Sequence, residues 1–138
     1  MNIILDSNVL FSALIKDSVT RELILEYDGC FLFPAFIFEE MDKHKQELMD
    51  KSGMEKDDFN SLLQLLLSRV LIIPSTRLLS FRAEAVGIVK DIYINDSIFI
   101  ACALANDDSI LWSDDKKLKK QNRVKVLNTG EIRKIIKK

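Results

Sequence analysis

Asn2-Ile3-Ile4-Leu5-Asp6 is the stretch that decides the fold: a short β-type run, apolar enough to be core, stopped by an acid. Comparable runs recur at residues 30–33, 70–73, 109–112 and 124–127, and helical stretches separate them. Residues 20–27 and 35–49 have helical spacing, and residues 56–68 carry the apolar stripe Phe59, Leu62, Leu63, Leu66 and Leu67. Residues 77–90 and 96–106 read as two more helices, and residues 129–137 as a last one with Thr129 as its N-cap. Strands alternating with helices predict an α/β domain built on a parallel sheet. Ser52-Gly53 and Asp28-Gly29 break helices but are too short to be linkers, so the 138 residues read as one domain, 1–138.

Bulk composition narrows the function classes. Hydrophobic residues make up 48% and charged residues 30%, the profile of a soluble globular protein. A net charge of −1 selects neither nucleic acid nor membrane as a partner. Distribution says more, because ten of the 20 Lys and Arg residues follow Asp115, with Glu131 as their only local opponent. Lys116, Lys117, Lys119 and Lys120 lead that segment and are candidates for contacting phosphates; a solvated lysine-rich surface is the competing reading. Cys30 and Cys102 lie inside apolar runs without CxxC spacing, as small buried hydrophobes in a reducing compartment do. No basic-then-apolar leader opens the chain, and no apolar run approaches the roughly 20 residues that span a bilayer. The expectation is a cytoplasmic protein with no membrane association.

Four acids sit at the edges of core-like segments: Asp6, Glu40 in Phe36-Ile37-Phe38-Glu39-Glu40-Met41, Asp96 before Ser97-Ile98-Phe99-Ile100, and Asp115 after Ile110-Leu111-Trp112-Ser113-Asp114. A carboxylate in such a place is costly unless it is hydrogen-bonded or bound to a cation. Four carboxylates brought together repel one another, and a divalent metal is the natural neutraliser. In open α/β sheets, ligands gather at the carboxyl ends of the strands near a topological switch point. Asp6 and Asp115 fall at or just past such ends, and Asp96 starts a helix that feeds the strand at 109–112.

Each acid also has a plainer reading. Asp6 and Asp96 occupy positions where Asp caps helices. Glu40 has Lys43 and His44 one turn on, and Glu39 competes with it. Asp114 and Asp115 form an ordinary Ser-Asp-Asp turn, and periodicity does not separate them. His44, the only histidine, reads as solvated, so nucleophile–histidine schemes lack support.

Order and surroundings change the odds. Leu5-Asp6-Ser7-Asn8-Val9-Leu10, Pro34-Ala35-Phe36-Ile37-Phe38-Glu39-Glu40-Met41, Asn95-Asp96-Ser97-Ile98-Phe99-Ile100-Ala101-Cys102-Ala103-Leu104 and Leu111-Trp112-Ser113-Asp114-Asp115-Lys116-Lys117-Leu118 together resemble a PIN-domain ribonuclease over nearly the whole chain. The family's Thr/Ser-x-Asp pattern selects Asp115 over Asp114, and its Glu followed by a large apolar residue selects Glu40 over Glu39. The resemblance implies a three-layer α/β/α fold with a central parallel sheet of five strands. It implies a site for Mg²⁺ or Mn²⁺ made by Asp6, Asp96 and Asp115 and completed by Glu40, with Asn8 and Ser113 hydrogen-bonding behind them. It further implies cleavage of RNA, and for the many VapC-like toxins of the family an antitoxin partner and a homodimer. The approach Asp91-Ile92-Tyr93-Ile94-Asn95 departs from the family's glycine- or polar-rich one and leaves Asp91 as an extra candidate acid.

Rival chemistries fit less well. A receiver-type phosphotransfer domain needs paired acids after the first strand and an Asp after the third, where this chain has Pro74-Ser75-Thr76. A haloacid-dehalogenase phosphatase needs Asp-x-Asp, and here the sequence is Asp6-Ser7-Asn8. The serious alternative is a non-catalytic PIN-like module that binds RNA or protein.

Overall fold

The computed structural model describes residues 1–15, 19–89 and 96–137. Five strands form one sheet in the order β3-β2-β1-β4-β5 with every pair parallel. They are β1 (Asn2–Leu5), β2 (Cys30–Pro34), β3 (Val70–Ile73), β4 (Ser109–Trp112) and β5 (Val126–Leu127). Seven α-helices flank them among the described residues: α1 (Ser7–Ile15), α2 (Val19–Glu26), α3 (Ile37–Ser52), α4 (Lys56–Leu67), α5 (Arg82–Val89), α6 (Ser97–Ala105) and α7 (Thr129–Ile136).

Chain order explains the layering. From β1 the chain steps outward to β2 and β3, then returns across the sheet to β4 on the other side of β1. Right-handed crossovers put the helices of these two journeys on opposite faces. Accordingly α1, α2, α3, α4 and α7 pack among themselves, while α5 packs on α6 and α6 lies over β1, β2 and β4. The result is the three-layer α/β/α sandwich. Covered on both faces, β1, β2 and β4 are buried along nearly their whole length, as parallel strands are. Ile3, Ile4, Leu5, Phe31, Phe33 and Trp112 fill the centre of the core. Full burial of each such side chain contributes about 1.5–3 kcal/mol.

Several sequence expectations shift in detail. The third helix runs to Ser52, where Gly53 closes it at φ 69° and donates to the Met49 carbonyl; glycine accepts that left-handed turn without strain. The segment expected to be helical from residue 77 begins as two short 3₁₀ turns, Ser75–Arg77 and Leu79–Phe81, before α5. Strand β5 spans only two of the four residues expected. The N-cap of α7 is Asn128 rather than Thr129: Asn128 keeps extended backbone angles, its side chain accepts from the Glu131 N–H, and Glu131 returns the bond in a capping box. The Thr129 hydroxyl is engaged elsewhere, accepting from Trp112 Nε1 at 3.0 Å and donating to Asp114 at 2.7 Å. Helix α1, foreseen only as a short turn or helix after Asp6, is nine residues of nearly unbroken apolar sequence whose one-sided pattern is weak.

Candidate active site

Between β1 and β4 the strand order reverses, and there the crossovers part to leave an opening at the strands' carboxyl ends. Asp6 follows β1 directly. Its backbone N–H donates to the Trp112 carbonyl at 3.1 Å, and its own carbonyl accepts from Val9 and Leu10 to start α1. The carboxylate is buried and held from two sides. Ser113 Oγ donates to Oδ2 at 2.6 Å, and the Asn8 backbone N–H donates to Oδ1 at 3.2 Å. Burial raises the Asp6 pKa above the ordinary carboxylate value, these two hydrogen bonds pull it back, and the charges of Asp115 and Asp114 add to the rise. Asp6 thus both starts a helix and presents a carboxylate to the opening.

Ser113 links two acids. Only 1% exposed, it donates to Asp6 and accepts from the Asp115 backbone N–H at 3.1 Å. Asn8 contributes to Asp6 through its backbone, while its side chain lies exposed at the rim of the cleft.

Asp96 occupies the N-cap position of α6 without capping it, because its side chain makes no bond to the helix N–H groups. Its Oδ2 is buried with no hydrogen-bond partner among the described residues. Burial first, then the negative charges of Asp6 and Asp115, push its pKa up to about 6, with Lys117 opposing. An orphaned buried oxygen beside two like charges fits the need for a cation.

The two adjacent-acid ambiguities separate by contact. Asp114 takes the Thr129 N–H on Oδ1 and the Thr129 hydroxyl on Oδ2, both at 2.7 Å, and so ties β4 to α7. The Asp115 carboxylate, half-buried, accepts among the described residues from the Lys117 N–H alone, at 3.0 Å, and Asp114 and Asp115 both line a small concavity with Asp6, Asn8 and Val9. Glu39 is exposed, whereas Glu40 sits in the first turn of α3 and lines the main cleft.

That cleft, about 730 Å³, collects Asp6, Glu40 and Asp96 over an apolar floor that includes Phe36 and Phe99. Phe99 stands edge-on to Phe36 and Phe33 at centroid distances of 5.6 and 5.8 Å. These rings cover one side of the cleft and add to the burial that raises the pKa values of Asp6 and Asp96. Asp115 lies in the adjoining concavity, and Asp6 is common to both. As the side chains stand, no group of three or more His, Cys, Asp or Glu among the described residues is gathered closely enough to hold an ion. The donor set is nonetheless all-carboxylate, which suits a hard cation such as Mg²⁺ or Mn²⁺ that keeps part of its water shell. Asp91 lies outside the described residues.

Three nitrogen-bearing side chains that sequence reasoning did not place at the site line the same cleft: Lys43, His44 and Arg82. His44 is not simply solvated. Its Nε2 lies 3.4 Å from Glu40 and its Nδ1 3.6 Å from Glu47, and its ring lies 5.8 Å from that of Phe11. The spacing of His44 four residues after Glu40 on one helix was the available signal. Arg82 had none, since it arrives from a distant helix.

The basic C-terminal segment is partly neutralised by acids remote in sequence. Lys119 pairs with Glu131, Arg123 with Glu84, and Lys137 with Glu22 and Glu26. Lys116, Lys117 and Lys120 carry no ion pair among the described residues.

Comparison with known proteins agrees with this architecture. A family model described as a PIN domain matches residues 4–134. No curated protein matches the chain significantly. Among solved structures, a chain from the crystal structure of VapBC2 from Rickettsia felis bound to a DNA fragment from their promoter aligns with a TM-score of 0.70. It is 20% identical, and the alignment covers 93% of this chain and 98% of that one, which speaks for a shared fold. Because the family model spans nearly the whole sequence, this chain belongs to the PIN-domain family.

Proposed function

We propose that the protein is an endoribonuclease dependent on Mg²⁺ or Mn²⁺ that hydrolyses RNA phosphodiester bonds and acts as the toxin of a toxin–antitoxin pair. The observation that carries this reading is the orphaned Asp96 Oδ2, buried beside the like charges of Asp6 and Asp115. Structural acids acquire partners, as Asp114 does with Thr129. A carboxylate with one oxygen kept buried and unpaired destabilises the fold, and such groups cluster at functional sites.

Asp6, Asp96 and Asp115 are the proposed ligands, and Glu40 completes the shell or orients the attacking water. The chemistry that the cation supplies when bound is activation of that water and neutralisation of charge on the phosphate. The chain does the rest. Ser113 fixes the rotamer of Asp6 through a buried 2.6 Å bond and holds the turn that carries Asp115. His44 restrains Glu40. Phe36 and Phe99 keep one wall dry, which strengthens every charge interaction inside the cleft. Lys43 and Arg82 offer positive charge at the cleft itself, Lys116 extends it along the Asp115 side, and the charge of Lys117 reaches Asp96. The likeness to a chain of VapBC2 supports a protein partner, and the family resemblance supports a homodimer.

A second reading, the non-catalytic module, has one observation in its favour: the acids are not gathered into an ion-binding group as they stand. Cleavage of single-stranded RNA with Mg²⁺, with Mn²⁺ and with EDTA separates the two. Metal-dependent cleavage lost in Asp96→Asn supports the nuclease; RNA binding without cleavage under any metal supports the module.

A further inference from the structure

Beside the acid cleft lies a second concavity of about 330 Å³, lined by Ser75, Leu78, Leu79, Arg82, Ser97, Ile98 and Ala101. Arg82, Ser97 and Ile98 line both spaces, so the two adjoin, and Ser97 directly follows Asp96. We propose that this concavity is a nucleobase subsite, which receives one base of the RNA next to the phosphate held in the acid cleft. The inference rests on the ribonuclease reading for its substrate class.

Four features support it. The volume lies at the lower end of the range of about 300–1,000 Å³ found for small-molecule sites, which suits one flat heterocycle better than a peptide segment. The walls are apolar on two sides: Leu78 and Leu79 from the 3₁₀ turns, Ile98 and Ala101 from α6. Leu79 is 63% exposed, a large apolar side chain at the rim with one face uncovered. The polar groups are of the kind that reads a base edge, since the Ser75 and Ser97 hydroxyls each donate and accept.

Arg82 gives the site its direction. Among the described residues its guanidinium has no hydrogen bond or ion pair. Standing on the wall common to both spaces, it is suited to bridge them, because a guanidinium pairs with phosphate through its edge and stacks on a ring through its face. Proteins that read single-stranded RNA take splayed bases in this way, one face on an apolar or guanidinium surface and the edge on hydroxyls. The subsite would make cleavage depend on the identity of one nucleotide beside the scissile bond.

The test is equilibrium binding of 5′-labelled A, C, G and U tetraribonucleotides in EDTA, on the full chain and on two variants. Leu79→Ser strips the exposed wall at the rim, and Ala101→Leu fills the space from α6. The expected wild-type result is a preference of about tenfold between the best and worst base, the scale of one base contact. Both variants should flatten it to about twofold while keeping the wild-type salt dependence. Because Ala101 is buried, a melting curve accompanies that variant, and Leu79→Ser decides alone if Ala101→Leu fails to fold. Equal binding of all four bases by the wild type, or a preference unchanged in Leu79→Ser, overturns the subsite. Cleavage of mixed-sequence RNA with Mg²⁺ on the same wild-type preparation tests the nuclease reading separately. Base preference without cleavage leaves the subsite intact and removes the nuclease; cleavage without base preference does the reverse.

Discussion

The carboxyl ends of β1 and β4 and the lysine-rich segment that follows them treat charge in opposite ways. At the strand ends, few carboxylates sit in apolar surroundings, and one buried oxygen of Asp96 has no partner. In the C-terminal segment, many cations sit in solvent, and several have found acids from elsewhere: Glu131, Glu84, Glu22 and Glu26. Counting charges along the sequence draws attention to the second region. Local dielectric makes the first one matter. An exposed ion pair contributes at most about 1 kcal/mol, whereas an uncompensated buried carboxylate shifts its own protonation and stores instability that a ligand can relieve.

That comparison breaks most visibly at Asp6. Asp6→Asn should lower Mg²⁺-dependent RNA cleavage by about a thousandfold or more with the fold retained by circular dichroism. Full activity in that variant would remove Asp6 from the chemistry. Next come the neighbouring acids after β4. Asp115→Ala should approach the loss seen for Asp6, while Asp114→Ala should keep cleavage and lose about 0.5–1.5 kcal/mol of stability in urea melts, because the Thr129 hydroxyl and N–H exchange their acceptor for water. Equal effects at the two positions would erase the distinction between ligand and tie.

Ser113→Ala should cut cleavage by about 10- to 100-fold, since it frees Asp6 and the Asp115 turn without removing either carboxylate. Asp96 yields a pH signature. Its pKa is raised from 3.8 to about 6 in the folded chain, so between those values the folded state holds a proton that the unfolded state has lost. Stability of the metal-free protein therefore falls as pH rises from about 4 to 6, and the penalty is complete above 6. Asp96→Asn should flatten most of that slope, leaving the part due to Asp6, and raise the metal-free Tm at pH 7.5 by about 2–5 °C. Added Mg²⁺ should then raise the Tm of the wild type alone, as read by scanning calorimetry.

The smallest effects belong to the lysines. Lys117→Ala should reduce the salt dependence of RNA binding by about one phosphate contact, and Lys119→Ala, already paired with Glu131, by less. The reverse order would show that the paired lysine, rather than the one whose charge reaches Asp96, meets the RNA.

Much of this is legible in the sequence. Short apolar runs separated by helical spacing carry the alternation of a parallel α/β sheet, and the acids at their ends mark the sheet edge where ligands gather. Local detail was less legible wherever the pattern is apolar all round. Helix α1 reads Ser-Asn-Val-Leu-Phe-Ser-Ala-Leu-Ile, and a helix packed against three others need not present a wholly polar face. The cap of α7 was misread because Thr129 and Asn128 are both good caps, and only the pull of Trp112 and Asp114 on the Thr129 hydroxyl decides between them.

Sequence by itself determined the layered class of the fold, the strand-end position of Asp6 and Asp115, and the candidacy of Glu40 and Asp96, because periodicity and local burial are written along the chain. Tertiary structure alone decided the strand order that opens the cleft between β1 and β4, and the two hydrogen bonds that tie Asp114 to Thr129. It alone brought Arg82 to the wall that the cleft shares with its neighbouring concavity. The physical reason is the same in each case. Which group pairs with a charge, and how dry its surroundings are, depends on residues that share space without sharing sequence.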